Sequence, residues 1–121
     1  MFKRKILFLL IIYPFLFLTS QSYPKLTEKE KITYLLDELE KSKLIFIRNG
    51  DEYSAKDARD HMQKKLDYAG NRITTADQFI TYIATKSSLS GKSYYVKSPD
   101  GKQTESAVYL RNLLSKLEEK K

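Results

Sequence analysis

The sequence contains no cysteine, no tryptophan and a single histidine, His61. Without cysteine the chain can form neither a disulfide scaffold nor a thiolate zinc site, and one imidazole excludes a histidine-rich metal site. The four glycines stand isolated, so there is no glycine-rich phosphate loop. The Asp/Asn ladder of a calcium loop and the G-x-S-x-G elbow of a serine hydrolase are also missing. We therefore expect neither a metal nor a cofactor.

The charge of the chain is positive but evenly mixed. Lys and Arg number 22 against 15 Asp and Glu, a net charge of +7. The first 22 residues hold three of the cations and no anion, so the rest of the chain keeps an excess of four. These cations are interspersed with carboxylates, which is not the pattern of a nucleic-acid-binding segment. Anionic envelope components, polymers or phospholipid headgroups, are the electrostatic partners that this composition favours, and nucleic acid is not.

The N-terminus has the pattern of a secretory signal peptide. A cationic start is followed by the uncharged stretch Ile6–Leu18 and by small residues at Ser20 and Ser22. As a helix that stretch would span about 20 Å, short of the roughly 30 Å hydrocarbon core of a bilayer. We predict a signal peptide over residues 1–22 and a mature chain over 23–121, exported to the periplasm of a Gram-negative bacterium. The alternative is an uncleaved anchor, which would be the chain's contact with the membrane.

Three hydroxyl residues predict helix starts, because each is followed three positions later by a carboxylate or an amide side chain: Thr27, Ser54 and Thr75. Apolar residues behind Thr27 recur at i, i+3, i+4, i+7, which predicts a helix that ends near Lys41. The helix behind Ser54 is expected to stop at Gly70.

A fourth helix is predicted to start near Thr104 or Glu105. Its leucines repeat the i, i+3, i+4, i+7 spacing of the first helix, and we expect these two helices to pack together. Leu36 and Leu113 lie at the centres of the two apolar stripes and are expected in the core.

Two short strands lie between the helices. Leu44–Ile47 precedes the turn signal Asn49-Gly50, and Tyr94–Val96 precedes a second turn, Ser98–Gly101. Each turn is expected to lead into a short return strand. The sequence predicts a single small α+β domain of about four helices with a small antiparallel sheet or two short hairpins.

Few polar residues suggest a site. His61 lies on the apolar side of its helix, where it is either a half-buried, hydrogen-bonded histidine or a ligand contact. Arg48 and Asn49 enter a tight turn, where the guanidinium could meet an anion or pair with Asp51 or Glu52, and Asn49 could serve only to accept a positive φ.

The loop before the second strand is the third candidate. Hydroxyl groups at Ser87, Ser88 and Ser90, next to a glycine and close to Tyr94, could bind an anionic or sugar-like ligand, or form an ordinary polar loop. The two adjacent tyrosines at 94 and 95 should alternate, with one of them packed inward.

Three stretches together carry a family resemblance: Phe46-Ile47-Arg48-Asn49-Gly50, the helix with His61, and Thr75–Ile80 leading to the serine loop with Tyr94. The chain resembles a family of short exported bacterial proteins, mostly Gram-negative, that is classed as a domain of unknown function. The resemblance implies export and one compact domain but no activity. Some relatives place cysteines near the positions of Leu44 and Ser98, which implies that the two β segments are neighbours in one sheet.

Three functional hypotheses follow. The leading one is a small non-enzymatic periplasmic domain that binds a ligand or another envelope protein through Arg48, Asn49, His61 and the loop from Ser87 to Tyr94. The second is a small envelope hydrolase or transferase that uses His61 with a serine of the 87–90 loop. The third is a structural or stress-related envelope protein that acts through a helical surface.

Overall fold

A computed structural model describes residues 25–120 as one layer of helices on a small sheet. The predicted signal peptide, residues 1–22, lies outside the described residues. The helices are α1 Glu28–Ser42, α2 Ala55–Ala69, α3 Ala76–Gln78 and α4 Ser106–Glu119. A 3-10 turn, Gly70–Arg72, follows α2, and α3 continues directly into a π-helical segment, Phe79–Ile83. The strands are β1 Ile45–Arg48, β2 Asp51–Tyr53, β3 Tyr95–Lys97 and β4 Gln103–Glu105. The predicted α+β class is confirmed.

All three predicted hydroxyl caps form. At Thr27 the capping box is complete, with both reciprocal hydrogen bonds present. Ser54 and Thr75 each accept a hydrogen bond from the backbone N–H three residues on. At Thr75, however, the box is not the predicted one, because the Gln78 amide oxygen accepts from the N–H of Thr74, at 2.7 Å, instead of from the cap residue. The amide therefore secures the segment that leads into the helix.

The two hairpins join into one antiparallel sheet with strand order β2-β1-β3-β4. Asn49 and Gly50 both have positive φ, 53° and 84°, as a tight two-residue hairpin turn requires. Ile45 pairs with Lys97 across β1 and β3. The next residues outward are Leu44 and Ser98, so the neighbour relation implied by the family resemblance is confirmed.

The core lies between the helices and one face of the sheet. Leu36 is 2% exposed and belongs to it, as predicted. Leu113 is only partly buried, so its assignment to the core is wrong, and α4 instead buries Leu110. The reason is that α4 buries residues only in its N-terminal half, while Leu113 and Leu114 pack at the edge of the core. The buried core side chains come from every layer: Ile32, Leu35, Leu36, Leu39, Phe46, Ala58, Met62, Phe79, Ile80, Tyr94, Val96 and Leu110.

Helix α1 packs most extensively on α2 and also contacts α4. The predicted pairing of the first and last helices is therefore present, and Lys31 of α1 ties them together with a 3.0 Å ion pair to Glu118. Among residues 25–120 there is no helix long and apolar enough to cross a membrane.

Candidate functional site

Lys65 of α2, which contacts the end of the π-helical segment, lies at the centre of the candidate site. The segment contains a wide turn, in which the N–H of Ala84 donates to the carbonyl of Phe79 at 3.1 Å. Such turns leave carbonyl groups at the C-terminal end without a partner in the helix. The Lys65 ammonium is the hydrogen-bond partner here, because it donates to the carbonyls of Ile83, at 2.9 Å, and Lys86, at 3.2 Å.

The third donor of Lys65 connects it to a chain of polar groups formed by Lys65, Tyr94 and His61. It donates to the hydroxyl oxygen of Tyr94 at 3.2 Å, and that hydroxyl lies 3.3 Å from Nε2 of His61. The phenol oxygen accepts from lysine, and the tautomer of the ring decides which of the phenol and the imidazole donates to the other. Tyr94 itself is buried against Phe46, with ring centroids 5.1 Å apart. Of the two adjacent tyrosines, Tyr94 is thus the one that packs inward.

Burial shifts the pKa of all three groups toward the neutral form. The pKa of His61 is lowered, first by desolvation and then by the positive charges of Arg48, Lys65 and Lys64. Desolvation also lowers the pKa of Lys65, with a further contribution from Arg48. The pKa of Tyr94 is raised, because burial disfavours the phenolate more than Arg48 stabilises it. The lowered pKa of His61 favours the neutral imidazole at neutral pH.

An open cleft of about 710 Å³ lies beside this chain. Its walls come from the C-terminal half of α2, the 3-10 turn, the π-helical segment and the serine loop, and its lining residues are His61, Lys64, Lys65, Tyr68, Ala69, Arg72, Ile73, Tyr82, Ile83 and Ser88. Lysine and arginine supply three of these side chains, and none is a carboxylate. The cleft thus combines apolar and aromatic walls with positive charge.

A smaller cavity of about 210 Å³ also has His61 in its lining. Arg48 lines it, with its guanidinium 4.7 Å from the centre of the Tyr53 ring. Pairing of Arg48 with Glu52 was one expectation, but Glu52 instead forms its ion pair with Lys97. His61 lines both cavities and is therefore shared by the cleft and the cavity that holds Arg48.

The serine loop is held rigidly. Ser87 is buried, and its hydroxyl oxygen accepts from the N–H groups of Leu89 and Ser90, each at 3.3 Å. The Ser90 hydroxyl donates to the side-chain oxygen of Asn49 at 2.5 Å, which joins the loop to the β1–β2 turn. Ser88 and Ser90 are both exposed, and Ser88 lines the cleft with His61.

Among residues 25–120, no hydrogen bond joins His61 to a serine, and Ser88 lines the cleft with it. The imidazole engages Tyr94, and the hydroxyls of Ser87 and Ser90 are committed to the loop and to Asn49. The part of the chain that the structure describes contains no group of three or more His, Cys, Asp or Glu residues that could hold a metal ion. The cleft presents positive charge, aromatic faces and apolar walls.

Several cleft residues were not among the sequence candidates. Lys64, Tyr68 and Arg72 recur every four residues along α2 and the turn that follows it. That spacing places a cation, an aromatic ring and a second cation on one helical face. This spacing was the sequence signal that could have indicated the cleft. It does not distinguish a cleft wall from an ordinary solvent-exposed helix face of the same composition. Tyr82 had no such signal, since it lies within an apolar helical stretch.

Comparison with known proteins places the chain in a family. A family model described as a family of unknown function, DUF5329, matches residues 26–118. The chain belongs to DUF5329. The uncharacterized protein YfeK of Salmonella typhimurium (strain LT2) is 43% identical over 68 residues, 55% of this chain and 57% of that protein. The chain thus spans little more than half the length of this curated relative. No solved structure matches this DUF5329 chain. The resemblance to a Gram-negative family of unknown function is confirmed.

Proposed function

We propose that this DUF5329 chain is a small, exported, non-enzymatic binding domain of the bacterial periplasm. Its cleft beside His61 binds an anionic molecule with an apolar body, the chemistry of many envelope components. The observation that carries the proposal is the lining of the 710 Å³ cleft, which joins apolar and aromatic walls to three cationic residues without any carboxylate.

The cations differ in what they can offer a ligand. All three donors of Lys65 are used within the domain, so this residue supplies charge and shape but no further hydrogen bond. Arg72 donates through Nε and Nη2 to the carbonyls of Ala69 and Tyr68, which holds its guanidinium over the Tyr68 ring at 5.6 Å. Lys64 is exposed at the cleft and is the cation best placed to meet an anionic group directly.

The apolar part of the ligand has its own walls. Ala69, Ile73 and Ile83 line the cleft together with the exposed rings of Tyr68 and Tyr82. Such a pocket, mostly apolar with a few directed polar groups, is typical of small-molecule sites. The volume is ample for a medium-length acyl chain or a flat ring system.

Decanoate and decanol test the proposal, because they share an alkyl chain and differ in charge. We expect decanoate to shift the NMR signals of Ile73 and Ile83 in a saturable way, and decanol to bind about tenfold more weakly. Lys64→Glu should weaken decanoate binding by about tenfold, which is roughly 1.4 kcal/mol.

The matched control is Lys29→Glu, which makes the same change of charge on an exposed lysine of α1 away from the cleft. Equal binding of the two ligands, or equal losses in the two variants, would contradict the proposal.

A further inference from the structure

The tip of the serine loop presents a leucine to solvent. Leu89 is 99% exposed, more than any other large hydrophobic side chain of the described chain. The loop backbone is held in place by two hydrogen bonds. The N–H of Ser87 donates to the carbonyl of Lys92 at 2.9 Å, and the N–H of Gly91 donates to the carbonyl of Ser87 at 3.0 Å. The domain therefore holds Leu89 away from its own core.

Two more exposed apolar side chains stand near this tip. Tyr68 is 86% exposed and Tyr82 is 68% exposed, and both line the cleft together with Ser88, the neighbour of Leu89. Lys86 and Lys92 flank the tip and are exposed as well. No carboxylate occurs in the sequence between Asp77 and Asp100. This tip surface, composed of Leu89, Tyr68, Tyr82, Lys86 and Lys92, therefore carries positive charge around an apolar centre.

We propose that the tip surface docks on a bilayer that contains anionic phospholipid, with Leu89 inserted among the acyl chains. Tyrosine rings favour the boundary between headgroups and acyl chains, and lysines near a bilayer are attracted to anionic lipid. The pattern of one inserted apolar side chain, interfacial aromatics and flanking cations is complementary to such a surface.

A protein partner fits the same surface less well. Stable protein interfaces bury about 800 Å² on each side and need a continuous apolar centre. Three apolar side chains separated by serines and lysines do not offer that, whereas a fluid bilayer needs no matching shape. The docking surface goes beyond the proposed ligand site, since it requires no molecule in the cleft.

Because the chain contains no tryptophan, Leu89→Trp places a single tryptophan at the tip, whose emission can be excited selectively. Every residue of the core cluster lies between Ile32 and Leu110, so a chain that starts at Tyr23 retains the whole core and avoids the apolar N-terminal stretch. With vesicles of phosphatidylglycerol we expect a blue shift of its emission, and with phosphatidylcholine alone a much smaller one. The control is Val108→Trp on α4, a side chain that is 45% exposed and does not line the cleft, and it should show no shift.

Co-sedimentation with the same vesicles measures the contributions of single residues. Leu89→Ser should weaken binding by about tenfold, since it removes most of the inserted apolar surface. Lys86→Gln should weaken binding by about fivefold and reduce its dependence on salt. Val108→Ser and Lys29→Gln should bind like the parent chain.

The inference is overturned if the parent chain does not bind anionic vesicles, or binds neutral ones equally well. It is also overturned if Leu89→Ser binds like the parent, or if both tryptophan variants shift alike. Decanoate titration separates this failure from failure of the cleft proposal, because Leu89→Ser leaves every residue of the cleft lining in place and should bind decanoate as the parent does.

Discussion

At the scale of single residues, Lys65 is the structural centre of the site. Its ammonium satisfies two carbonyls at the end of the π-helical segment and the hydroxyl of Tyr94. Burying a cation costs free energy unless its donors are all used, and here they are. Lys65 therefore joins α2, the π-helical segment and Tyr94, the residue before β3, at one point beside the cleft.

Lys65→Met keeps most of the apolar stem but removes all three donors. We expect it to lower the free energy of unfolding by about 1–3 kcal/mol, because partly buried acceptors lose their partner. The adjacent Lys64→Met is the matched control and should stay within about 0.5 kcal/mol of the parent, since Lys64 is exposed. Urea unfolding of the three chains measures both values, and equal stability of the two variants would show that the Lys65 contacts are not structural.

His61 should make stability depend on pH. Its pKa in the unfolded chain is close to 6.5, and in the folded chain it is lowered by burial and by Arg48, Lys65 and Lys64. Between the two values the unfolded state binds more protons, so the contribution of His61 to stability is complete above about 6.5 and is lost as the pH falls through the folded value. The other groups beside His61 are the Tyr94 hydroxyl, 3.3 Å from Nε2, and Asp57, which lines the smaller cavity with it.

The chain has no other imidazole, so His61→Gln should remove this fall in stability between about pH 7 and pH 5. At neutral pH, His61→Ala should lower the free energy of unfolding by about 1–3 kcal/mol, because Tyr94 loses a partner and the half-buried ring loses its packing. Melting temperatures across the pH range measure both effects. A parent chain that melts alike at pH 5 and pH 7 would contradict the assignment of a neutral, structural histidine.

At the scale of elements, the fully buried residues of α4 lie in its first half. The N–H of Ser106 donates to the carbonyl of Tyr94 at 2.9 Å, which ties the start of α4 to the beginning of β3. Leu110 is buried in the core, whereas Leu113 and Leu114 are only partly buried at its edge. The regular apolar stripe of the helix therefore spans two environments.

Alanine substitutions along the stripes should follow burial and not spacing. Leu36→Ala and Leu110→Ala should each lower the free energy of unfolding by about 2–5 kcal/mol, because each leaves a cavity in the closed core. Leu113→Ala should lower it by about 1 kcal/mol, since solvent can fill part of the space. Denaturant unfolding compares the three, and a loss at Leu113 as large as that at Leu110 would mean that the C-terminal half of α4 is packed more tightly than the structure shows.

At the scale of the whole molecule, the domain depends on packing alone. The chain has no cysteine, so no disulfide can form even in an oxidising compartment. The core of the described residues and the four-stranded sheet must supply the stability.

Export predicts a defined N-terminus. If the periplasm is the destination, the mature protein should begin at or within a few residues of Tyr23, because a cationic start, an apolar stretch and Ser20-x-Ser22 follow in the order that signal peptidase needs. Mass spectrometry of the protein recovered from the periplasmic fraction measures this. Recovery of a chain that still begins at Met1, from the membrane fraction, would establish an uncleaved anchor instead.

Much of the fold could be predicted from local rules. The hydroxyl caps at Thr27, Ser54 and Thr75, the stop at Gly70 and the Asn49-Gly50 turn all depend on residues a few positions apart, and the structure has each of them. The wide turn in Phe79–Ile83 was not predictable in the same way. It depends on Lys65, which lies far away in the sequence and holds the segment's last carbonyl.

The sequence by itself determined where the helices and hairpins begin and end, because caps, turn residues and apolar periodicity act over a few residues. Only the tertiary structure decided that Tyr94 lies between His61 and Lys65, that Leu113 lies at the edge of the core, and that Leu89 stands alone at the loop tip. Each of these depends on which elements meet across long separations in the chain. The cleft was hidden for the same reason, since its cations on α2 and the tyrosine of the π-helical segment become neighbours only when the two elements pack together.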